Sequence, residues 1–395
     1  MSVRIGVEEE FHVLEVESGL LVPRAEPLLR RLPRRTFTTE LHQSTVESNS
    51  GVHASLDDLY ADLAATRRRL DAAASSLGLA AVAAGTAPLA PAASAHPTAD
   101  DRYHRMVEDY RTIADEQLIC GAQVHVDVPD RDTAVRVMCE VSPWLPVLLA
   151  LSASSPFWQG SDTGYASWRT MLWQRWPTAG PVGCFADADE YDATVRDLVG
   201  AGIISDPGMI YYDLRPSAHL QTLELRICDS CPRAETVVLV AGLFRALVTD
   251  ACERLRTGGV PSCEGRHEWL RGASWRAARS GLEGRLVDPD THQEVPAGQV
   301  VRKLLTRLRP ALEAQGDFPT VQELAEEALA DGSAAHRIRR VAQEEDLLAC
   351  VDTLIAETRG ERAARRATDT RPRKLYPAGP AGHPAPVPAR PLTPS

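Results

Sequence analysis

Apolar and polar positions alternate through residues 3–16, and this alternation predicts an opening β-strand. Its apolar residues are β-branched, aliphatic or aromatic, which suits a pleated strand. The stretch "GVEEEF" departs from this pattern because it places three glutamates in succession. Side chains of a strand alternate between its two faces, so Glu8 and Glu10 share one face and Glu9 points to the other.

Two later segments show the same two-faced pattern, "QVHVDV" at 123–128 and "QTLELRICD" at 221–229. Apolar residues occupy one face of each. The other face carries polar side chains, which are Gln123, His125 and Asp127 in the first segment and Thr222, Glu224 and Arg226 in the second. Three predicted strands therefore each have an apolar face that can pack under helices and a polar face that can line a cleft.

Helical periodicity covers much of the remaining chain. The predicted helices are 55–78 with Ser55 as N-cap, 101–118, one that starts after Asp130 or Asp132, 187–201, 233–256, and several within 299–361. Short strands are predicted at 79–85, 208–214 and 219–228. Because strands and helices follow no βαβ rhythm, an α+β fold rich in antiparallel strands is favoured. Residues 366–395 lose periodicity and fill with proline and arginine, so a disordered tail is expected there.

The composition excludes several classes of function. A formal net charge of −11 argues against a basic surface for nucleic acid. No unbroken apolar run has the roughly 18 residues of a membrane span, and the first residues pass directly into the strand pattern without a signal-peptide core. We therefore expect a cytoplasmic protein with no membrane partner. Its eight cysteines are scattered, so reduced thiols are expected, and the lone pair Cys228 and Cys231 is weak evidence for a zinc or redox site.

Lysine is almost absent, since Lys303 and Lys374 are the two lysines among 43 basic residues. The sequence contains no Gly-x-x-x-x-Gly-Lys, so a P-loop is excluded, and no Gly-x-Gly-x-x-Gly follows a predicted strand. A nucleotide, if one is used, must therefore be held by other means.

The polar strand faces suggest such a means. Two neighbouring carboxylates raise each other's pKa unless a cation lies between them. The alternative is a solvated face on an edge strand. Residues 38–51 add two further carboxylates in a segment too polar for ordinary core. Mg²⁺ prefers carboxylate, water and phosphate oxygens, so we interpret the combined face as a cation basin formed by Glu8, Glu10, Glu40, Glu47, His125 and Glu224.

Five motifs in order are similar to those of a known family. They are "GVEEEFHVLE", "TELHQSTVESNSG", "CGAQVHVDVPD", "YASWRTMLWQRWPTAGP" and "LELRICD". Together they resemble the carboxylate–amine ligases related to glutamate–cysteine ligase (the type 2, YbdK-like group) over roughly residues 3–360. The resemblance implies a cupped antiparallel β-sheet with helices on its outer face, as in glutamine synthetase. Residues 1–365 would then form the catalytic domain.

The resemblance also implies a site that holds ATP and Mg²⁺. Its implied metal ligands are Glu8, Glu10, Glu40, Glu47 and Glu224, its ATP-binding residues are His125, Ser167 and Arg226, and its catalytic residues are Arg169 and Arg226. Arg276 and Arg279 lie in a further similar segment, where solvated surface charge is the favoured interpretation.

The implied reaction is ATP-dependent amide formation through an acyl phosphate. Glutamate and cysteine would give γ-glutamylcysteine, ADP and phosphate, and a homodimer is expected. No nucleophilic side chain is needed, because positioning and charge neutralisation carry phosphoryl transfer. Two alternatives stay open: a ligase of the same mechanism for another amino acid or natural product, and a decayed relative that binds nucleotide or metal without turnover.

Overall fold

The computed structural model describes residues 3–91, 94–258 and 267–361, and the predicted tail lies outside these residues. Its strands are β1 (Ile5–Glu15), β2 (Phe37–Thr39), β3 (Thr45–Asn49), β4 (Leu79–Val82), β5 (Ala122–Asp127), β6 (Phe157–Trp158), β7 (Ser161–Asp162), β8 (Leu214–Pro216), β9 (Thr222–Leu225), β10 (Arg285–Val287) and β11 (Glu294–Pro296).

The helices cover the positions predicted from periodicity and several others. They are α1 (Ala25–Leu29), α2 (Leu56–Ser75), α3 (Asp101–Tyr110), α4 (Thr112–Asp115), α5 (Arg131–Val141), α6 (Leu145–Ser152), α7 (Trp168–Trp173), α8 (Ala188–Gly200), α9 (Ala234–Arg256), α10 (His267–Ser280), α11 (Ala297–Gln315), α12 (Phe318–Asp331), α13 (Ala334–Glu344) and α14 (Leu347–Thr358).

One antiparallel sheet organises the fold. Its strand order is β2–β3–β1–β5–β9–β8, and β4 also pairs with β1. The long strand β1 pairs with β3 along one side, and along the other side with β5 in its first half and β4 in its second half. The predicted α+β class with an antiparallel sheet is confirmed.

The apolar face of this sheet packs against helices. Val124 and Val126 of β5 and Leu223 and Leu225 of β9 have no exposed surface and belong to the same core cluster as α9. Each such side chain contributes about 1.5–3 kcal/mol when buried. Helix α9 also contacts α2, α5, α11 and α12, so it is the centre of the helical layer and leaves the polar face of the sheet free for a cavity.

One charged residue lies on the apolar face. Glu9 has no exposed surface, and its carboxylate accepts hydrogen bonds from Arg67 of α2 at 2.5 and 3.3 Å. The same guanidinium donates to the carbonyls of Cys231 and Pro232 at 2.7 and 2.5 Å. Arg67 therefore joins the middle of the acidic stretch to the segment that follows β9.

The structure differs from the sequence predictions at three places. The predicted helix 101–118 breaks into α3 and α4 at Arg111, whose φ of 51° cannot continue a right-handed helix. Residues 207–209 form a 3₁₀ turn, and the strand predicted at 208–214 begins only at Leu214. The polar segment 38–51, for which no strand was predicted, contains β2 and β3, because tertiary pairing outweighs its weak strand propensity.

The helical run Arg131–Ser152 is long and apolar enough to cross a membrane by length and composition, but 94% of its apolar window is buried inside the protein. Arg136 and Glu140 interrupt its apolar residues. Its burial is that of a core helix packed on α9.

The expectation that all cysteines are reduced is wrong for one pair. Cys139 of α5 and Cys184 form a disulfide with a Cα–Cα distance of 5.3 Å. Sequence spacing could not show this, because 45 residues separate the two cysteines and only the fold brings them together. Cys228 and Cys231 are buried and free, so the pair forms no disulfide.

We expect thiol titration of the denatured, unreduced protein to give two fewer thiols than after reduction. Peptide mapping should assign the difference to Cys139 and Cys184, and a Cys139→Ser variant should abolish it. An equal count before and after reduction would contradict the pairing. Cys252→Ser serves as the control, because that cysteine is free in the structure.

Candidate active site

A cavity of about 230 Å³ opens on the polar face of the sheet. Glutamates of β1 and β3 line one part, and arginines and aromatic residues from α3, α7 and the 207–215 segment line the rest. The lining includes Glu8, Glu10, Glu40, Glu47, Gln123, Arg102, Tyr103, Arg169, Trp173, Trp176, Tyr211, Arg215 and Arg226. Most of the predicted site residues thus share one concave surface.

Glu10, Glu40 and Glu47 form the first acidic cluster, in which one oxygen of each lies within 4.8 Å of the others. The strand register brings two of them together, because Glu10 of β1 is directly opposite Glu47 of β3. The Glu10 carboxylate is held by the backbone N–H of Gly121 at 2.6 Å and by the side-chain amide of Gln123 at 2.8 Å. Its direction is therefore fixed before any ligand binds.

Electrostatic repulsion marks this first cluster. Burial raises the pKa of Glu40 to about 7, and the charge of Glu10 adds to this rise. Burial and the charges of Glu40, Glu8 and Glu10 likewise raise the pKa of Glu47 well above its ordinary value. Like charges directly opposite on a sheet are destabilising, so a bound cation would stabilise this cluster.

Glu8, His125 and Glu224 form the second cluster, and their ligand atoms also lie within 4.8 Å of one another. His125 of β5 is opposite Glu224 of β9. Its Nδ1 is 3.0 Å from the Thr222 hydroxyl. Its Nε2 is 3.2 Å from a Glu8 oxygen but is buried without a well-directed hydrogen bond.

Two arginines neutralise Glu224. Arg215 donates to both of its oxygens, at 2.8 and 3.1 Å, and Arg226 donates to one of them. Burial alone would raise the pKa of Glu224, but the charges of Arg226 and Arg215 outweigh it and hold this pKa at about 2. A carboxylate has about four acceptor positions, and these three bonds leave one for another ligand.

Both clusters fit a hard divalent cation. The first offers three carboxylates that repel one another in their charged form. The second offers two carboxylates and the Nε2 of His125, which makes no hydrogen bond to any described residue. Thr222 orients this ring through the opposite nitrogen, as is common around metal-ligating histidines. Carboxylate oxygens with room for water and phosphate suit Mg²⁺.

Arg226 and Arg169 line the cavity together with Arg102 and Arg215. The Arg226 guanidinium lies 5.8 Å from the ring centre of Trp173 and 6.0 Å from that of Tyr211. Arg169 lies 5.7 Å from the same Trp173 ring and donates to the carbonyls of Ile227 and Arg226 at 3.3 Å each. Both guanidinium groups thus lie near the same Trp173 ring, and both residues line the cavity.

Ser167, expected to contact a cofactor, is outside the lining of this cavity. It has no exposed surface, and its hydroxyl donates to Asp229 at 2.8 Å and accepts from the N–H of Thr170 at 3.3 Å. Ser167 is therefore the N-cap of α7, behind Arg169. Arg276 pairs with Glu294 on the surface, as the interpretation of solvated charge predicted.

A family model described as "Glutamate-cysteine ligase family 2 (GCS2)" matches residues 4–356. The chain belongs to this family.

Relatives agree with this assignment. A "Putative glutamate--cysteine ligase 2-2" of Mycolicibacterium smegmatis is 51% identical over 356 residues, which cover 90% of this chain and 89% of the relative. Another, of Frankia casuarinae, is 55% identical over 358 residues, which cover 90% of this chain and 42% of the relative. The chain thus spans less than half the length of that second relative.

Two solved structures share the fold of this family member. The glutamate–cysteine ligase of Francisella tularensis in complex with AMP has a TM-score of 0.66 at 12% identity, covering 91% of this chain and 89% of that chain. A bifunctional glutathione synthetase of Pasteurella multocida has the same TM-score at 16% identity, covering 91% and 51%.

Several residues of the candidate site in this glutamate–cysteine ligase family 2 chain were not predicted from the sequence. Arg215 is the most important, since it binds both oxygens of Glu224 from the neighbouring strand β8. The alternation around 214–216 could have found it, but the strand was predicted too early in the chain. The aromatic residues gave no signal because aromatic side chains at helical spacing are usually core.

The pKa of Glu40 leads to a prediction about stability. Its ordinary value is 4.5 and its folded value is about 7, so the folded protein binds more protons across this range, and Glu40 destabilises the fold as pH rises from 4.5 to 7. We expect the melting temperature measured in EDTA to fall over this interval, and to fall less with millimolar Mg²⁺.

Glu40→Gln should flatten the EDTA profile, whereas Glu17→Gln, at an exposed position in the turn after β1, should leave it unchanged. Other buried acids such as Asp213 also titrate in this range, so the difference between variants is the informative quantity. Profiles that respond to neither Mg²⁺ nor Glu40→Gln would contradict the cation assignment.

Proposed function

We propose that this protein is an ATP-dependent carboxylate–amine ligase that joins glutamate to cysteine. The observation that carries the proposal is that two acidic clusters lie on one sheet face, together with two cavity arginines that both contact the ring of Trp173. The proposed metal ligands are Glu8, Glu10, Glu40, Glu47, His125 and Glu224. Family membership and the fold shared with two ligase structures support it.

Each set of residues has a separate task in the proposed reaction. The acidic clusters hold Mg²⁺, which when bound would neutralise the charge on the phosphate oxygens of ATP. Arg226 and Arg169 bind the anionic groups of ATP and of the amino-acid substrate. Because phosphoryl transfer depends mainly on positioning and charge neutralisation, these groups are sufficient without a nucleophilic side chain.

The proposed chemistry has two steps. A γ-carboxylate oxygen of glutamate forms a bond to the γ-phosphorus of ATP, and the bond between that phosphorus and the oxygen of the leaving ADP breaks. The product is an acyl phosphate. The amine of cysteine then attacks the acyl carbon, releases a proton to solvent and displaces phosphate. Arg226 and Arg169 are suited to stabilise the negative charge that develops in both steps, since they remain charged at any physiological pH.

A ligase for a different amine is the second candidate. The cavity lining contains Tyr103, Trp173, Trp176 and Tyr211, which is more aromatic surface than the small side chain of cysteine requires. This lining favours testing larger amines alongside cysteine. The cytoplasmic location expected from the sequence and the homodimer implied by the family resemblance stay predictions.

The decisive experiment measures ADP release with Mg²⁺, ATP and pairs of acids and amines. We expect ADP formation to require both glutamate and an amine, with cysteine the best or among the best. ADP release with another pair alone would support the second candidate. Tight Mg·ATP binding without turnover on a broad panel would indicate the decayed relative.

Glu47→Gln tests the role of the first cluster in the same assay. It keeps the side-chain shape and the contact with Asn49 but removes a charged ligand, so turnover should fall by roughly 10²-fold or more, in line with the loss of one electrostatic contact in a transition state. Glu17→Gln is the matched control. Unchanged turnover in Glu47→Gln would remove that residue from the site.

Arg226→Lys tests whether the planar guanidinium matters or only its charge. Lysine would keep a charge near Glu224 but lose bidentate geometry and stacking on Trp173 and Tyr211. We expect kcat/KM to fall by on the order of 10²-fold with the melting temperature within a few degrees of wild type. Arg276→Lys, at a surface ion pair, should change neither kcat/KM nor the melting temperature. If Arg226→Lys also left both unchanged, Arg226 would have a structural role only.

A further inference from the structure

Asp229 is a fully buried carboxylate that lies behind the proposed active site and takes no direct part in it. It follows β9, between Cys228 and Cys231. Its oxygens accept three hydrogen bonds: from the N–H of Ser154 at 3.0 Å, from the hydroxyl of Ser155 at 2.7 Å and from the hydroxyl of Ser167 at 2.8 Å. Burying a carboxylate is costly unless it is paired in this way, so the position calls for an explanation.

The two serine hydroxyls connect Asp229 to the helix that carries Arg169. Ser155 accepts from the backbone N–H of Arg169 at 3.1 Å, and Ser167 accepts from that of Thr170 at 3.3 Å. A hydroxyl has a single proton. Both serines donate their hydroxyl hydrogen to Asp229. Their oxygen lone pairs can therefore accept hydrogen bonds from the backbone N–H groups in the first turn of α7.

The Arg169 side chain is held from the same segment. Its guanidinium donates to the carbonyls of Arg226 and Ile227, and Nη1 lies 4.0 Å from the Asp229 carboxylate. Two glycines provide the space. A Cβ at Gly85 would lie 2.6 Å from the Asp229 carboxylate, and one at Gly121 would collide with the Arg169 guanidinium.

We propose that Asp229 is a positioning residue that directs Arg169 into the cavity through Ser155 and Ser167, so that Arg169 can bind an anionic group of the substrates. The inference rests on the proposed ligase function, because it assigns Arg169 an anion to bind. It predicts that Asp229 affects catalysis only through Arg169.

A double-mutant cycle isolates this dependence, because two residues that act through one contact give non-additive effects. The variants are Asp229→Asn, Arg169→Lys and the double variant, and the assay is ADP release with glutamate and cysteine. We expect Asp229→Asn to lower kcat/KM on the order of 10- to 100-fold, as is typical for residues that orient a ligand-binding side chain. In the Arg169→Lys background the same change should cost less than about twofold.

Asp317→Asn is the matched control. Asp317 pairs with the buried Arg245 far from the cavity lining, so its change should lower the melting temperature and leave kcat/KM as in wild type. If Asp229→Asn does not fold, Ser155→Ala or Ser167→Ala is used in its place in the cycle. Each of these variants removes one of the two serine hydroxyls that connect Asp229 to α7.

The same cycle is measured by calorimetric titration with Mg²⁺ and a non-hydrolysable ATP analogue. If the wild-type protein turns over but the effects of Asp229→Asn and Arg169→Lys on kcat/KM simply multiply in the double variant, the positioning role is overturned. The proposed ligase function would be unaffected by that result. No turnover with any substrate pair, but coupled losses of analogue affinity, would reject the ligase function and retain the positioning role. No analogue binding in wild type would overturn both.

Discussion

Repulsion among carboxylates on one sheet face is the constraint on which the site depends. The register places Glu10 opposite Glu47, and Glu40 completes a cluster that burial makes costly to ionise. In the second cluster the protein itself relieves this repulsion, because Arg215 and Arg226 neutralise Glu224. Within the described residues, the first cluster has no arginine in salt-bridge contact. A bound cation would therefore be needed to neutralise its carboxylates.

The rigidity of this face comes from its reverse side. Alternation sends Glu8 and Glu10 to the cavity and Glu9 to the core, where Arg67 binds it and the carbonyls of Cys231 and Pro232. A buried pair of this kind adds little net stability but is costly to break by removing one partner. The same segment carries Asp229 and, through Ser230, hydrogen-bonds the carbonyl of Glu10 at 2.6 Å. The strand and the segment after β9 are thus held together from both faces.

Period-two alternation was sufficient to predict which side chains share a face, and it found Glu8, Glu10, His125 and Glu224 from the sequence. It could not predict which residues face one another across strands, because pairing is set by contacts over long sequence separations. The disulfide between Cys139 and Cys184 was missed for this reason, whereas Arg215 was missed because its strand was predicted too early in the chain. The sequence could not show that Ser167 caps α7, because helix capping and ligand contact favour the same residue type.

The near absence of lysine has a physical rationale in this cavity. Burial lowers the pKa of a lysine and tends to discharge it, whereas arginine stays charged. The charge of Glu224 outweighs the effect of burial on Arg226 and raises its pKa further. A lysine has three donors, and a contact with Glu224 would leave two without fixed direction. The guanidinium of Arg226 instead donates to Glu224, lies 5.8 and 6.0 Å from the ring centres of Trp173 and Tyr211, and has an Nε that makes no hydrogen bond to the described residues.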